Sequence, residues 1–220
     1  MNPKEKYFSA ENIENQASNL IEEIAISGTR RKVWDARMTT SALIVTDVQN
    51  YFFSPDSHAF LPSAPAIINN IKALIDFFHS ASRPVIFTRH VNSDENANSM
   101  TYWWDDMIHD GSWLSELTDE LDVRNSRVIV KHQYEAFYQT GLEDFLIKSE
   151  VKYPVVCGVK ANLCCETTVR SAFVRGFRPV LPIDATAANN REYHLATFRN
   201  LCYGFMPLLT TGEIIQMLQK

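Results

Sequence analysis

The chain of 220 residues is poor in glycine and has no excess of positive charge. Its seven glycines form no glycine-rich phosphate loop, which argues against a nucleotide-binding Rossmann domain. A net charge of −5 argues against nucleic acid as the main partner. No apolar run approaches the length of a membrane span, and the segment 1–6 lacks the apolar core of a signal peptide. We therefore expect no nucleic-acid and no membrane partner.

Cysteine is also scarce. Four cysteines, at positions 157, 164, 165 and 202, are too few for a disulfide framework in a chain this long, and none forms a Cys-x-x-Cys pair. We therefore expect reduced thiols and a cytoplasmic protein. The composition, 45% hydrophobic and 21% charged, is ordinary for one globular α/β domain with a terminal extension.

Strand patterns alternate with helix patterns from residue 41 onwards. Such alternation predicts βαβ units and a mostly parallel sheet covered by helices on both faces. The predicted fold class is α/β, a three-layer α/β/α arrangement with a six-stranded sheet of Rossmann-like topology. The predicted strands are 42–46, 84–88, 127–130, 154–157, 179–183 and 206–209. Helical periodicity is clearest over 67–78 and 142–148.

The N-terminal region is more polar and more charged than the rest of the chain. We predict that residues 1–38 form an arm or helix, and that residues 39–220 form the main α/β domain. One amphipathic stretch, Ile13 to Ile26, precedes the basic run 30–32. The arm is expected to lie on the domain or on a partner subunit. The alternative is a partly disordered tail.

The run from Gly158 to Thr168 is the most informative part of the chain. It follows a strand and leads into a helix, so Cys164 is expected to face the positive end of that helix, which favours thiolate. Asp47 and Lys131 end two other predicted strands. Carboxyl ends of parallel strands share one edge, so the three side chains are expected to meet in one crevice. Cys164 can act as nucleophile, Asp47 as acid and base, and Lys131 as the cation that favours thiolate.

Each of these residues has a simpler explanation when it is taken alone. A lone cysteine is usually a small buried residue, a strand-terminal aspartate often caps a helix, and a strand-terminal lysine is usually solvated. Their joint placement at strand ends favours a catalytic site.

Four motifs in order resemble the isochorismatase-like cysteine hydrolases, which include nicotinamidases and N-carbamoylsarcosine amidases. The resemblance covers roughly residues 40–218. The motifs are 42–52 with its Asp-x-Gln-x-x-Phe signature, the lysine segment 130–142, the nucleophile run 158–168, and 184–188.

The resemblance implies an Asp–Lys–Cys triad of Asp47, Lys131 and Cys164. It also implies a cis peptide between Val159 and Lys160. The oxyanion would be bound by backbone N–H groups of Lys160, Ala161 and Cys164. Cys165 takes the position of a small apolar residue on the following helix.

Three positions depart from the family pattern. Nicotinamidases carry an Asp-x-His metal site after the second strand, and the run 88–92 here has none. The sequence therefore predicts no bound zinc or iron, no cofactor, and no nicotinamidase activity. Glu135 replaces a serine of the family and Ala161 a frequent threonine, so we expect unusual substrate specificity.

The predicted reaction is hydrolysis of a small amide, carbamoyl or ureido C–N bond through a Cys164 thioester. The small-molecule substrate would be held in a pocket closed by the aromatic segment 102–104, which could instead pack under its loop or at a subunit interface. The resemblance further implies a homodimer or homotetramer. The candidate substrate-binding residues are Gln49, Phe52, His90, Trp104, Tyr134 and Phe137.

Three other functions stay open. The first is an isochorismatase-type vinyl-ether hydrolase, in which Asp47 is the general acid and Cys164 is not needed. The second is a binding protein that kept the fold and lost the chemistry. The third is a redox role for the pair Cys164–Cys165. This role is the least favoured, because a disulfide between adjacent cysteines is strained.

Overall fold

A parallel five-stranded sheet, with strand order β3-β2-β1-β4-β6, forms the centre of the molecule. The computed structural model describes residues 3–26, 34 and 38–219. Two further short strands, β5 and β7, pair with each other in parallel. The strands are β1 Ser41–Thr46, β2 Val85–His90, β3 Arg127–Lys131, β4 Tyr153–Val159, β5 Leu181–Pro182, β6 Thr186–Ala187 and β7 Leu208–Leu209.

The central sheet has five strands, so the prediction of six is wrong in number. The predicted strand 179–183 is reduced to β5, which joins β4 only through an isolated bridge between Val180 and Val155. Pro182 has no N–H to donate, which limits the length of this ladder. The place beside β4 is taken instead by the two-residue strand β6, which sequence patterns did not indicate.

Helices flank the sheet in two groups. α3 packs against α8 and contacts four strands of the sheet, whereas α6 packs against α7 and contacts β4. No helix in the described ranges is long and apolar enough to cross a membrane. The helices are α1 Ile13–Ile26, α2 Asn50–Phe53, α3 Ala64–Ser80, α4 Met100–Trp103, α5 Leu142–Lys148, α6 Glu166–Val174, α7 Arg191–Gly204 and α8 Thr211–Gln219. A 3₁₀ helix spans Trp113–Ser115 and a π-helical turn spans Ala161–Cys165.

The N-terminal segment is packed onto the domain by a buried hydrogen-bond chain. Tyr7 Oη lies 3.0 Å from Nδ1 of His194, and it accepts a hydrogen bond from the backbone N–H of Ala188. His194 Nε2 in turn lies 3.0 Å from the carbonyl oxygen of Ile183. Burial lowers the pKa of His194 to about 3, so the ring is neutral. In that state Nε2–H donates to Ile183 and Nδ1 accepts from Tyr7.

α1 buries one apolar stripe, as its amphipathic pattern predicts. The predicted boundary near residue 38 stays a prediction, and the basic run 30–32 lies outside the described residues.

The pairing of β1 with β4 brings two chain segments of the site into contact. Gly158 pairs with Thr46, one residue before Asp47, and has φ +104°. A Cβ at this glycine would lie 2.1 Å from the carbonyl oxygen of Thr46. Only glycine therefore allows the end of β4, and the turn that follows it, to lie this close to Asp47.

Candidate active site

A buried ion pair forms the base of the site. Lys131 Nζ lies 2.8 Å from Asp47 Oδ2, and neither side chain is exposed to solvent. Asp47 directly follows β1 with a positive φ of 51°, a conformation that aspartate tolerates better than most residues. Its other oxygen, Oδ1, accepts a 2.7 Å hydrogen bond from the hydroxyl of Thr88 on β2. Beyond the ion pair, Oδ2 has no hydrogen-bond partner among the described residues.

Cys164 faces this pair from the π-helical turn after β4. A ligand atom of Cys164, one of Asp47 and one of His90 all lie within 4.8 Å of one another. Burial raises the pKa of the Cys164 thiol to about 12; Lys131 acts against this rise and Asp47 adds to it. Loss of water around the sulfur thus outweighs the nearby ammonium and the helix end, the two features expected to favour thiolate. The resting group is a thiol beside a carboxylate.

Lys131 remains charged in this setting. Burial acts to lower its pKa, but the carboxylate of Asp47 outweighs burial and raises it. Its ammonium also lies 2.9 Å from the carbonyl oxygen of Gln133 and 3.1 Å from Nδ1 of His90. The three N–H donors of the lysine thus have three acceptors around them.

His90 supports the lysine as a neutral ring. Burial, together with the charge of Lys131, lowers the pKa of His90 to about 4. Its Nε2 lies 2.7 Å from Oδ1 of Asn92, so the ring donates there and accepts from Lys131 at Nδ1. His90, predicted to contact substrate, accepts a hydrogen bond from Lys131 and orients its ammonium beside Asp47 and Cys164.

The positions of Asp47, His90 and Lys131 also decide whether a metal ion fits this site. Asp47, His90 and Cys164 are metal-ligand types and lie close enough to share an ion. However, the ammonium of Lys131 lies 2.8 Å from the aspartate oxygen and 3.1 Å from the histidine nitrogen. A divalent cation bound there would lie beside a lysine cation in a low-dielectric interior, which is strongly unfavourable. The donor set does not fit a metal ion.

The turn before the nucleophile carries free backbone donors. The peptide between Val159 and Lys160 is cis. The Lys160 carbonyl oxygen accepts bonds from the N–H groups of Leu163 and Cys165, which closes the turn. Within the part of the chain that the structure describes, the N–H groups of Lys160 and Ala161 donate to no protein acceptor. These donors are suited to bind an oxyanion formed next to Cys164.

Aromatic side chains from three segments form a wall beside Cys164. Trp104, directly after α4, donates a 2.7 Å hydrogen bond from Nε1 to the hydroxyl of Tyr134. Lys160 Nζ lies 5.5 Å from the ring centre of Phe52 and 5.6 Å from that of Trp104. Burial raises the pKa of Tyr134, and the hydrogen bond from Trp104 acts against this rise. Three of the predicted pocket residues, Phe52, Trp104 and Tyr134, are thus neighbours.

Two other predicted pocket residues have structural contacts instead. The side-chain amide of Gln49 is fully buried and is hydrogen-bonded to backbone atoms of His90 and Ser115. Phe137 stacks on Phe177 at 5.9 Å and is part of the hydrophobic core. Gln49 therefore fixes the loop after β1, and neither side chain is available to a substrate.

Glu135 also points elsewhere. Its carboxylate accepts a hydrogen bond from the N–H of Phe137 and lies 3.8 Å from the guanidinium of Arg175. Glu135, which replaces the family's serine in the lysine segment, thus stabilises its own loop.

Sequence reasoning missed Thr88 and Asn92, which orient Asp47 and His90. The strand pattern contained a signal for both residues. Residues two apart in a strand point to the same face, so Thr88 and Asn92 are expected on the same face as His90. No sequence pattern indicated the side chain of Lys160, whose position over Phe52 and Trp104 depends on segments distant in the chain.

Comparisons with known proteins show the family of the chain. The family model described as the isochorismatase domain matches residues 41–213. Nicotinamidase 3 from Arabidopsis thaliana is 38% identical over 199 residues, which cover 87% of this chain and 96% of the relative. Enterobactin synthase component B from Escherichia coli (strain K12) is 30% identical over 185 residues, which cover 83% of this chain and 65% of the relative.

Solved structures show the same fold. A cysteine hydrolase from Pseudomonas syringae pv. phaseolicola 1448A superimposes with a TM-score of 0.77 at 23% identity, covering 84% of this chain and 95% of that one. Nicotinamidase from Bacillus subtilis gives a TM-score of 0.67 at 24% identity, covering 76% and 99%. Since the family model spans most of its length, this chain belongs to the isochorismatase family and is a hydrolase.

Proposed function

We propose that this hydrolase cleaves a small amide, carbamoyl or ureido C–N bond, without a metal, through a thioester on Cys164. The observation that carries the proposal is the buried Asp47–Lys131 pair with the thiol of Cys164 beside it. Relatives with amidase names support the reaction class: one is the nicotinamidase above, and another is N-carbamoylsarcosine amidase from Arthrobacter sp, 27% identical over 150 residues.

In the first half-reaction, the thiol proton of Cys164 moves to Asp47 as sulfur attacks the carbonyl carbon. This coupled transfer suits a thiol whose pKa is about 12, because no free thiolate is needed beforehand. The N–H groups of Lys160 and Ala161 bind the oxyanion. Asp47 then gives its proton to the leaving nitrogen, the C–N bond breaks, and a thioester remains.

In the second half-reaction, Asp47 takes a proton from water, whose oxygen attacks the thioester carbon. The C–S bond breaks, the proton returns to the sulfur of Cys164, and the free acid leaves. Lys131 stays protonated throughout and keeps Asp47 ionised between proton transfers.

The proposal is tested by ammonia release from a panel of primary amides and carbamoyl and ureido compounds. Nicotinamide belongs in the panel because of the 38% identical relative, although the missing Asp-x-His motif predicts no such activity. Cys164→Ala should lose at least about 1,000-fold in kcat, while Cys202→Ser should keep wild-type activity. A thioester adduct on the peptide that contains Cys164 should appear by mass spectrometry after rapid acid quench. Full turnover by Cys164→Ala would rule out the nucleophile.

The family model is named for isochorismatase, so vinyl-ether hydrolysis is the second candidate. In that reaction Asp47 protonates the substrate and no sulfur nucleophile takes part. Isochorismate turnover that survives Cys164→Ala but not Asp47→Asn would establish this activity in place of amide hydrolysis.

A further inference from the structure

The ammonium of Lys160 lies at the site without an anionic partner. Its Nζ lies over the rings of Phe52 and Trp104, and no described side chain or carbonyl accepts a hydrogen bond from it. Cation–π contact attracts the charge, but the rings supply no acceptor for the three N–H donors of the ammonium, which remain available to solvent or to a ligand.

The electrostatic surroundings of Lys160 favour an incoming anion. Burial lowers the pKa of Lys160, and the nearby cation of Lys4 lowers it further. Lys4 belongs to the N-terminal segment and donates to the carbonyl oxygen of His58. Two lysines therefore give this side of the site positive charge in a protein whose net charge is −5. A negatively charged ligand group would neutralise that charge and accept the free N–H donors.

Lys160 is also tied to the reacting centre. It directly precedes the π-helical turn Ala161–Cys165, and its carbonyl oxygen accepts the hydrogen bond from the N–H of Cys165 that closes this turn. Its aromatic neighbour Trp104 donates a hydrogen bond to the hydroxyl of Tyr134, which lies near enough to Cys164 to interact with it electrostatically. A substrate whose carbonyl carbon lies against the sulfur can therefore extend along this aromatic wall to the ammonium.

We infer that Lys160 binds a carboxylate of the substrate, so that the preferred substrates are amides or ureido compounds that carry a free carboxylic acid. The inference rests on the proposed amide hydrolysis and specifies its substrate class. Phe52 and Trp104 hold the ammonium in place for the anion. The wall formed by Trp104 and Tyr134 covers the apolar part between the two ends of the substrate.

The test compares two substrates that differ only in the charge. N-carbamoylglycine and its methyl ester share the same ureido group, and ammonia release gives kcat/KM for each. Wild-type protein should prefer the acid. Lys160→Met should lower kcat/KM for the acid about 10- to 100-fold, mainly through KM, and change that for the ester about twofold at most. Lys160→Arg should recover most of the preference, and Lys152→Met, at the other end of β4, should leave both values unchanged.

Two results would overturn the inference. One is equal loss for acid and ester in Lys160→Met, which would mean that the side chain only supports the nucleophile turn. The other is a wild-type protein that does not distinguish acid from ester.

Failure of the proposed function gives a different result. If wild-type protein releases ammonia from no compound of the panel, amide hydrolysis is wrong, and calorimetric titration of the same acid and ester then decides the role of Lys160. Binding of the acid that is lost in Lys160→Met, with the ester bound weakly by both proteins, supports the carboxylate site. Equal binding of the acid by both proteins, or no binding by wild type, refutes it.

Discussion

Lys131 and Asp47 form an ion pair of 2.8 Å between two side chains that are both inaccessible to solvent. In such a pair each charge compensates the other, and removal of one partner leaves the other charged and buried. The residues that are proposed to carry out the chemistry therefore also affect the stability of the fold.

Lys131→Met should destabilise the protein by about 3 to 5 kcal/mol and abolish turnover. The double variant Asp47→Asn with Lys131→Met should be more stable than Lys131→Met alone, because no uncompensated carboxylate remains. Urea denaturation followed by circular dichroism measures both. If the double variant is the less stable of the two, the destabilisation in Lys131→Met does not come from an uncompensated buried carboxylate.

The thiol of Cys164 should react slowly with iodoacetamide near neutral pH. Since burial raises its pKa to about 12, the rate of inactivation should rise about tenfold for each pH unit between about 8 and 10, without a plateau near 7. Mass spectrometry of the alkylated peptide identifies the site, with Cys164→Ala as control. A plateau below about pH 8 would mean that the resting group is a thiolate.

His194 should contribute to acid sensitivity. Its folded-state pKa is about 3 against an ordinary 6.5, so between these values the unfolded chain binds a proton that the folded protein does not. The free energy of unfolding should therefore fall as pH drops from about 6.5 towards 3, by up to about 1.4 kcal/mol per pH unit. His194→Gln should lower stability at pH 7 and flatten this slope. His109→Gln, at an exposed position, should leave the curve unchanged.

Gly158→Ala should cost more stability than Gly176→Ala. Both glycines have positive φ, but only the first would place its new methyl group 2.1 Å from a backbone oxygen. The second change should cost about 1 to 2 kcal/mol from backbone conformation alone, and the first clearly more. Gly158→Ala should also reduce kcat, because the nucleophile turn must move away from Asp47. Similar thermal midpoints for the two variants would contradict the steric argument.

Activity should not depend on metal. Dialysis against EDTA should leave kcat within about twofold, and adding Zn²⁺ or Mn²⁺ should not increase it, because Lys131 provides the positive charge beside Asp47. Stoichiometric metal in the active protein, lost together with activity, would contradict this prediction.

The proximity of Asp47, Lys131 and Cys164 was predictable from sequence because it depends on a local rule. Each residue ends or follows a strand, and parallel strands in register place those ends together. α5 was predicted at its observed bounds, and the amphipathic stretch 13–26 within the predicted arm or helix coincides with α1.

What the sequence could not predict depends on tertiary environment. The pKa of Cys164 follows from how completely the surrounding chain removes water, which no local pattern records. Gln49 belongs to the recognised motif, yet its partners lie on β2 and in the loop before β3, so its structural use became visible only in the fold. The short strand β6 has two residues, too few for a periodicity to appear.

The reacting groups and the pocket wall belong to different parts of the architecture. Asp47, Lys131 and the nucleophile turn are set by strand register, whereas Phe52, Trp104 and Tyr134 lie on short helices and loops between strands. The wall can therefore accept substitutions without any shift of the strands that set the distances of bond cleavage. Laboratory evolution of this protein towards new substrates is best confined to those connecting segments, with the strand ends left unchanged.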